Sequence, residues 1–166
     1  MFRTTDCLTY AHGVINGRYT QEMTELIQGK NGEVFLDTCN PRVIIRDCNE
    51  QNYALLEKTE YIPFYELRAA AINKKSKHET YTENECKSRI DAQINTLIKN
   101  GIQHVILSAF GCGAFGNDPK IISEYYKQSI LTNKRYFKVI VFAIYNPTLS
   151  SPDTNFPIFK STLEDI

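Results

Sequence analysis

His104-Val105-Ile106-Leu107-Ser108-Ala109-Phe110-Gly111-Cys112-Gly113-Ala114-Phe115-Gly116-Asn117-Asp118-Pro119 joins an apolar run to a helix start through three glycines. Residues 104–110 show no polar alternation, which predicts a central strand covered on both faces. Asp118 and Pro119 then read as the N-cap and first residue of a helix over 119–131. Working outward, Ile90, Ile94, Leu97 and Ile98 recur at helical spacing. They put one buried stripe on a helix over 85–99, which Asn100-Gly101 ends. Residues 137–145 read as a second unalternating strand. Helix, buried strand, helix, buried strand is α/β order, and it predicts a layered sheet with helices on both faces.

The N-terminal half is less regular. Residues 20–28 fit a short helix, closed by the turn signal Gly29-Lys30-Asn31-Gly32. Short strands are expected over 33–36 and 42–46, the second rich in β-branched residues, and over 61–68, where Pro63 favours an edge. Two stretches read as irregular: 73–84, nearly devoid of apolar residues, and the tail from 146, where Pro147, Pro152 and Pro157 oppose regular structure. Neither separates two domains, so one domain over 1–166 is expected.

Composition excludes some function classes. Nineteen Lys and Arg balance nineteen Asp and Glu. No bulk positive field therefore draws in nucleic acid or an anionic membrane, and an anionic ligand must be held locally. No apolar run approaches the ~18 residues of a membrane span, and residues 1–12 carry no secretory-signal pattern. That does not exclude export by a route reading no such signal. Cys7, Cys39, Cys48, Cys86 and Cys112 form no CxxC pair and stand at no ligand spacing from the three His. Reduced thiols in a cytoplasmic-type setting are expected, with no metal and no cofactor.

The joint at 111–119 is the segment that carries chemistry. Three glycines turn the backbone tightly and present N–H groups at the carboxyl end of a strand, where ligands of open α/β sheets bind. The following helix adds the positive end of its dipole, so the chemistry suited is a phosphate or pyrophosphate. A ligand-free glycine turn is the plain alternative. A dinucleotide Rossmann site fits poorly, because the motif falls in the last third of the chain and 134–139 lacks the acidic residue. A Walker A loop fails at Asn117, where Lys would stand.

The phrase Leu107 to Pro119, with Gly111-Cys112-Gly113-Ala114-Phe115-Gly116 at its centre, resembles the phosphate loop of the poly(ADP-ribose) glycohydrolase branch of the macrodomains. Upstream, Gly13-Val14-Ile15-Asn16-Gly17-Arg18-Tyr19-Thr20-Gln21-Glu22 is similar to that branch's catalytic loop. The resemblance covers about 9–147 and leaves 148–166 as an irregular tail. It implies a three-layer α/β/α macrodomain-like fold with a mixed sheet, expected to be short at its N-terminal side because only 1–8 precede the matched region. It also implies ADP-ribose bound over the strand ends. Residues Gly111, Cys112, Gly113, Ala114, Phe115, Gly116 and Asn117 would wrap the pyrophosphate, with Phe115 against the ribose beside the scissile bond. Gly13 would belong to the ligand site, Asn16 would lie by that ribose, and Gln21 and Glu22 at the edge of the reaction site. Tyr145 is the candidate for stacking on adenine; an ordinary surface tyrosine is the alternative.

Departures from the family pattern shape the functional reading. Ala11-His12-Gly13 stands where the family has three glycines, and Gln21-Glu22-Met23 stands where it has Gln-Glu-Glu. The family's second Glu is the general acid, and a thioether cannot protonate a leaving group. Either hydrolysis is lost, or Glu22 or another acid serves; Asp118 and Asp6 are the spare carboxylates. Asp118 also reads as a plain helix cap, Cys112 as a small packing residue, and Lys74, Lys75 and Lys77 as a solvated basic run. Two functions follow: an ADP-ribosyl glycohydrolase acting on modified protein, or a non-catalytic module that reads ADP-ribosylated protein. A monomer is expected.

Overall fold

The computed structural model describes residues 13–15, 18–47, 54–145 and 155–166. Strands β1 (Val14–Ile15) and β2 (Arg18–Tyr19) pair antiparallel and lead into helix α1 (Gln21–Ile27). Thr20 caps α1 by accepting the Met23 amide at 3.2 Å. Met23 and Ile27, four apart, are the buried side of this short helix.

A single antiparallel pair follows, β3 (Phe35–Ile44) with β4 (Ile62–Arg68). The two short strands expected over 33–36 and 42–46 are joined in β3, whose register shifts between Asp37 and Arg42. The Asp37 carboxylate causes the break locally: it accepts the amides of Cys39 (3.1 Å) and Asn40 (2.9 Å), a turn made by a side chain inside a strand. Pro63 lies in β4 opposite Val43.

Helix α2 (Glu83–Lys99) is capped by Thr82, which accepts the Glu85 amide at 3.2 Å. Its stripe of Ile90, Ile94 and Leu97 is sealed. Strand β5 (His104–Leu107) runs parallel to β6 (Val139–Phe142), and helix α3 (Pro119–Asn133) lies between them in sequence. Asp118 caps α3 and Pro119 opens it, as the sequence predicts. The core is one cluster drawn from α2, β5, α3 and helix α4 (Asn155–Leu163). Tyr126 is its hub: buried, it donates to Gln93 Oε1 at 3.0 Å and meets the Phe142 ring edge-on at 5.2 Å.

Parallel and antiparallel pairing thus coexist in an α/β fold. Three expectations are corrected. Strands β5 and β6 are shorter than the apolar runs that announce them. They are also covered on one face only: Val105 and Leu107 are buried, whereas Ile106 is 73% exposed and Val141 47%. The apolar run is long because the residues past Leu107 pack as loop against the same core, Ala109 and Phe110 among them. Finally, the tail is not irregular throughout. Pro157 sits in the first turn of α4, where an amide has no helical partner to lose, and Phe159 anchors that helix in the core.

Glu66 pins β4 to β3. Its carboxylate accepts from Arg42 at 3.1 Å and Arg68 at 2.9 Å, and the Arg42 side chain is almost wholly buried. Burial alone would raise the Glu66 carboxyl, but the hydrogen bonds and charges of Arg68 and Arg42 outweigh it and leave it below its ordinary value. A depressed carboxylate stabilises the fold above its unfolded value, and that stabilisation fades as the pH falls through the folded value. Glu66→Gln is expected to cost about 2 kcal/mol at neutral pH and to flatten the fall in stability below about pH 4.3; urea unfolding across pH measures both.

Candidate functional site

The chain leaves β5 at Leu107 and turns back on itself before α3. The Cys112 amide donates to Ala109 O at 3.0 Å, and Gly111 adopts φ +75°. Asn117 then closes the loop. Its backbone amide and its side-chain Nδ2 both donate to Gly111 O at 3.1 Å, and Nδ2 also donates to Ile72 O at 2.8 Å. Two carbonyl acceptors fix which way this buried amide points, leaving Asn117 Oδ1 buried with no hydrogen-bond partner among the described residues. A Cβ on Gly111 would run into Asn117 Nδ2 and lie 2.6 Å from Ala71 Cβ. Only glycine fits there, for the left-handed φ and for the space.

Closure leaves the middle of the loop outward. Gly113, Ala114 and Phe115 are exposed, and their amides donate to no acceptor among the described residues. The Gly116 amide, by contrast, is taken by Gly113 O at 3.1 Å. Three free N–H groups therefore stand just ahead of α3, whose cap is filled by Asp118 accepting the Lys120 amide at 2.8 Å. A row of unpaired backbone amides at a helix start is chemistry suited to an anion with several acceptor oxygens. Cys112 does not add a thiolate: burial, helped by the neighbouring Cys86 and Asp118, pushes its thiol up to about 12. Its role is packing.

The second loop lies at the start of α1. Gly13, at φ +71°, accepts the Thr20 amide at 2.9 Å. Met23 fills the space beneath it, so that a Cβ on Gly13 would come within 2.5 Å of Met23 Cε. Glu22 and Gln21 point outward from the first turn, and Gln21 Nε2 donates to Glu25 at 2.9 Å. Asn16, like Asp6 and His12, lies outside the described residues. Tyr145, at the end of the described chain after β6, is 85% exposed.

Residues 70–75 connect these parts, and nothing in the sequence announced them. The Ala70 amide donates to Ile27 O at the end of α1 (2.7 Å), Ile72 O receives Asn117, and the Lys74 amide donates to Phe115 O (3.1 Å). Buried Arg89 holds this strap from below. It donates to Ala70 O at 3.1 Å and pairs with Glu85 at 2.5 Å and Glu79 at 3.5 Å. Glu79 in turn accepts the Asn73 amide at 2.8 Å.

With the geometry in view, comparison is informative. No known protein-family profile matches the chain, and no curated protein matches it. Solved structures do. Poly(ADP-ribose) glycohydrolase from Deinococcus radiodurans, in complex with ADP-ribose, superposes with a TM-score of 0.63 at 22% identity, over 76% of this chain and 50% of that one. Its apo form gives 0.62 at 23% identity, over 75% and 51%. The enzyme from Thermomonospora curvata gives 0.60 at 22% identity, over 74% and 44%. The chain shares their macrodomain-like fold. It spans about half the length of these glycohydrolases.

Among the described residues no group of three or more His, Cys, Asp or Glu is placed to hold a metal ion, and no helix is long and apolar enough to cross a membrane. Gly111→Ala is expected to destabilise the fold by about 3 kcal/mol, from left-handed strain plus the clash with Asn117 and Ala71. Gly113→Ala, where a Cβ meets nothing within 4 Å, is expected to change stability by less than about 1 kcal/mol. Chemical denaturation of the two variants checks the contrast.

Proposed function

We propose that the chain binds ADP-ribose across the 111–116 loop and is a glycohydrolase that removes ADP-ribose from modified protein. The observation that carries the reading is the row of three unpaired amides at Gly113, Ala114 and Phe115, held outward by the Asn117 closure. It occurs in a fold shared with a glycohydrolase solved with ADP-ribose. In this reading the three amides take the diphosphate oxygens, with Gly111, Cys112 and Gly116 shaping the turn and Asn117 bracing it from inside. The half-exposed Phe115 ring packs on the adjacent ribose, Tyr145 stacks on adenine, and Gly13 and Asn16 line the ribose side with Gln21. A chain of zero net charge suits this chemistry, because backbone dipoles replace a cationic patch.

Hydrolysis breaks the bond between the anomeric carbon and the protein side chain. Water supplies the oxygen that replaces it, and an acid protonates the departing group. Glu22, exposed at the first turn of α1, is our candidate acid, with Asp118 as the other nearby carboxylate. The second reading, a module that binds ADP-ribosylated protein without turnover, is favoured by Met23. The residue after Glu22 is a buried thioether packed under Gly13, so that position supplies structure and no proton.

Calorimetric titration with ADP-ribose tests the binding, with Gly113→Glu as the blocking variant. A Cβ at Gly113 has open space, so Gly113→Glu is expected to fold normally and to abolish binding by placing a carboxylate in the anion site. Release of ADP-ribose from proteins labelled on arginine, glutamate or serine tests the chemistry, and Glu22→Gln is expected to lower it by about 100-fold. Binding without release from any linkage assigns the module instead. Equal affinity in Gly113→Glu removes both readings.

A further inference from the structure

The run Lys74, Lys75, Lys77 reads in sequence as one solvated basic patch, yet the fold sends its members different ways. Lys74 turns from the loop, with Nζ 4.6 Å from the centroid of the Tyr81 ring. Lys75 turns onto it. Its side chain lies along Gly116, so that a Cβ built there would sit 3.1 Å from Lys75 Cε and 3.9 Å from Nζ. Gly116 has φ +70° as well; a side chain there would displace the lysine. No carboxylate among the described residues lies within 4.0 Å of Lys75 Nζ, although six other Lys or Arg residues have such a partner.

The backbone beneath Lys75 is fixed. Its amide donates to Asn73 Oδ1 at 3.0 Å, the Asn73 amide donates to Glu79 at 2.8 Å, and Glu79 is paired to buried Arg89. One residue earlier, Lys74 N is bonded to Phe115 O in the loop itself. A flexible surface lysine has no reason to be so placed; this one is carried on a strap bonded to both α2 and the glycine turn.

We propose that Lys75 is the cationic clamp of the anion site, its ammonium closing over the Gly116 end of the loop onto the diphosphate that the free amides hold. The inference rests on the ADP-ribose reading and names a contact that reading lacks. A clamp of this kind explains how a chain with no net charge adds an ionic contact to a site otherwise made of backbone dipoles. An ammonium is suited to it, being a compact charge on a long stem that adjusts to phosphate oxygens.

The test is ADP-ribose titration of wild type, Lys75→Met, Lys75→Arg and Lys77→Met at about 50 mM and about 500 mM NaCl. Lys75→Met keeps the stem and removes the charge. It is expected to bind about tenfold more weakly at the lower salt, with the gap closing to about twofold at the higher. Lys75→Arg should stay within about threefold of wild type, and Lys77→Met should match it. Thermal unfolding should be the same in all four. Wild-type affinity in Lys75→Met, with Gly113→Glu still blocking, overturns the clamp and leaves the ADP-ribose reading standing. A loss equal at both salts also overturns it, since that marks a structural effect and not a charge. Absence of binding by the wild-type chain overturns the reading and the clamp together.

Discussion

Gly111 and Asn117 are six residues apart, and the two hydrogen bonds from Asn117 to Gly111 O make the stretch between them a closed loop. Almost everything proposed for this protein depends on that closure. A buried amide with both protons committed to carbonyls leaves the backbone little freedom, and the exposed residues Gly113, Ala114 and Phe115 keep amides that have no acceptor among the described residues. The missing Cβ of Gly111 is what lets Asn117 come so near. The third bond, to Ile72 O across 45 residues, fastens the loop to the rest of the fold. Among the described residues Asn117 Oδ1 has no hydrogen-bond partner, a cost of about 1–3 kcal/mol by the usual measure of a buried acceptor left without a donor. Carrying that cost at the glycine loop fits the proposal of a site selected for its geometry and not for stability alone.

The strap at 70–75 links the end of α1 to the glycine turn. It touches the end of α1 through Ile27 and the glycine turn through Ile72 and Lys74, and Arg89 holds it against α2. Arg89 is nearly sealed from solvent with its two carboxylate partners on the outer side. Its loss would take the donor from the Ala70 carbonyl and leave Glu79 and Glu85 without their shared cation.

Much of this was legible in the sequence wherever the information is local. The periodicity of Ile90, Ile94 and Leu97 and the Asp118-Pro119 start define α2 and α3 because a helix writes its buried face at fixed spacing. The glycine loop was legible because its residues are contiguous. The strands were overdrawn, since an apolar run cannot distinguish pleated strand from the loop packing of Ala109 and Phe110. The helix at Asn155–Leu163 was hidden by prolines, one of which the first helical turn accommodates. The strap was invisible for a different reason. Its partners are carbonyls and amides of distant residues, and every residue has those. Nothing in the spacing of α2 marks Arg89 among its charged residues, and Lys75 read as one of three lysines in a polar stretch; only the fold separates Lys75 over Gly116 from Lys74 over Tyr81.

Met23 marks where this chain departs most from the family it resembles. Its thioether packs under Gly13 and supports the turn there. Binding at the proposed anion site precedes any question of turnover. Amide-resolved NMR titration with ADP-ribose addresses it most directly. The account predicts that the N–H signals of Gly113, Ala114 and Phe115 move furthest downfield, as free donors acquire phosphate acceptors, while the Asn117 side-chain amide, already bonded, moves little. Saturable binding that leaves those three signals in place would contradict it.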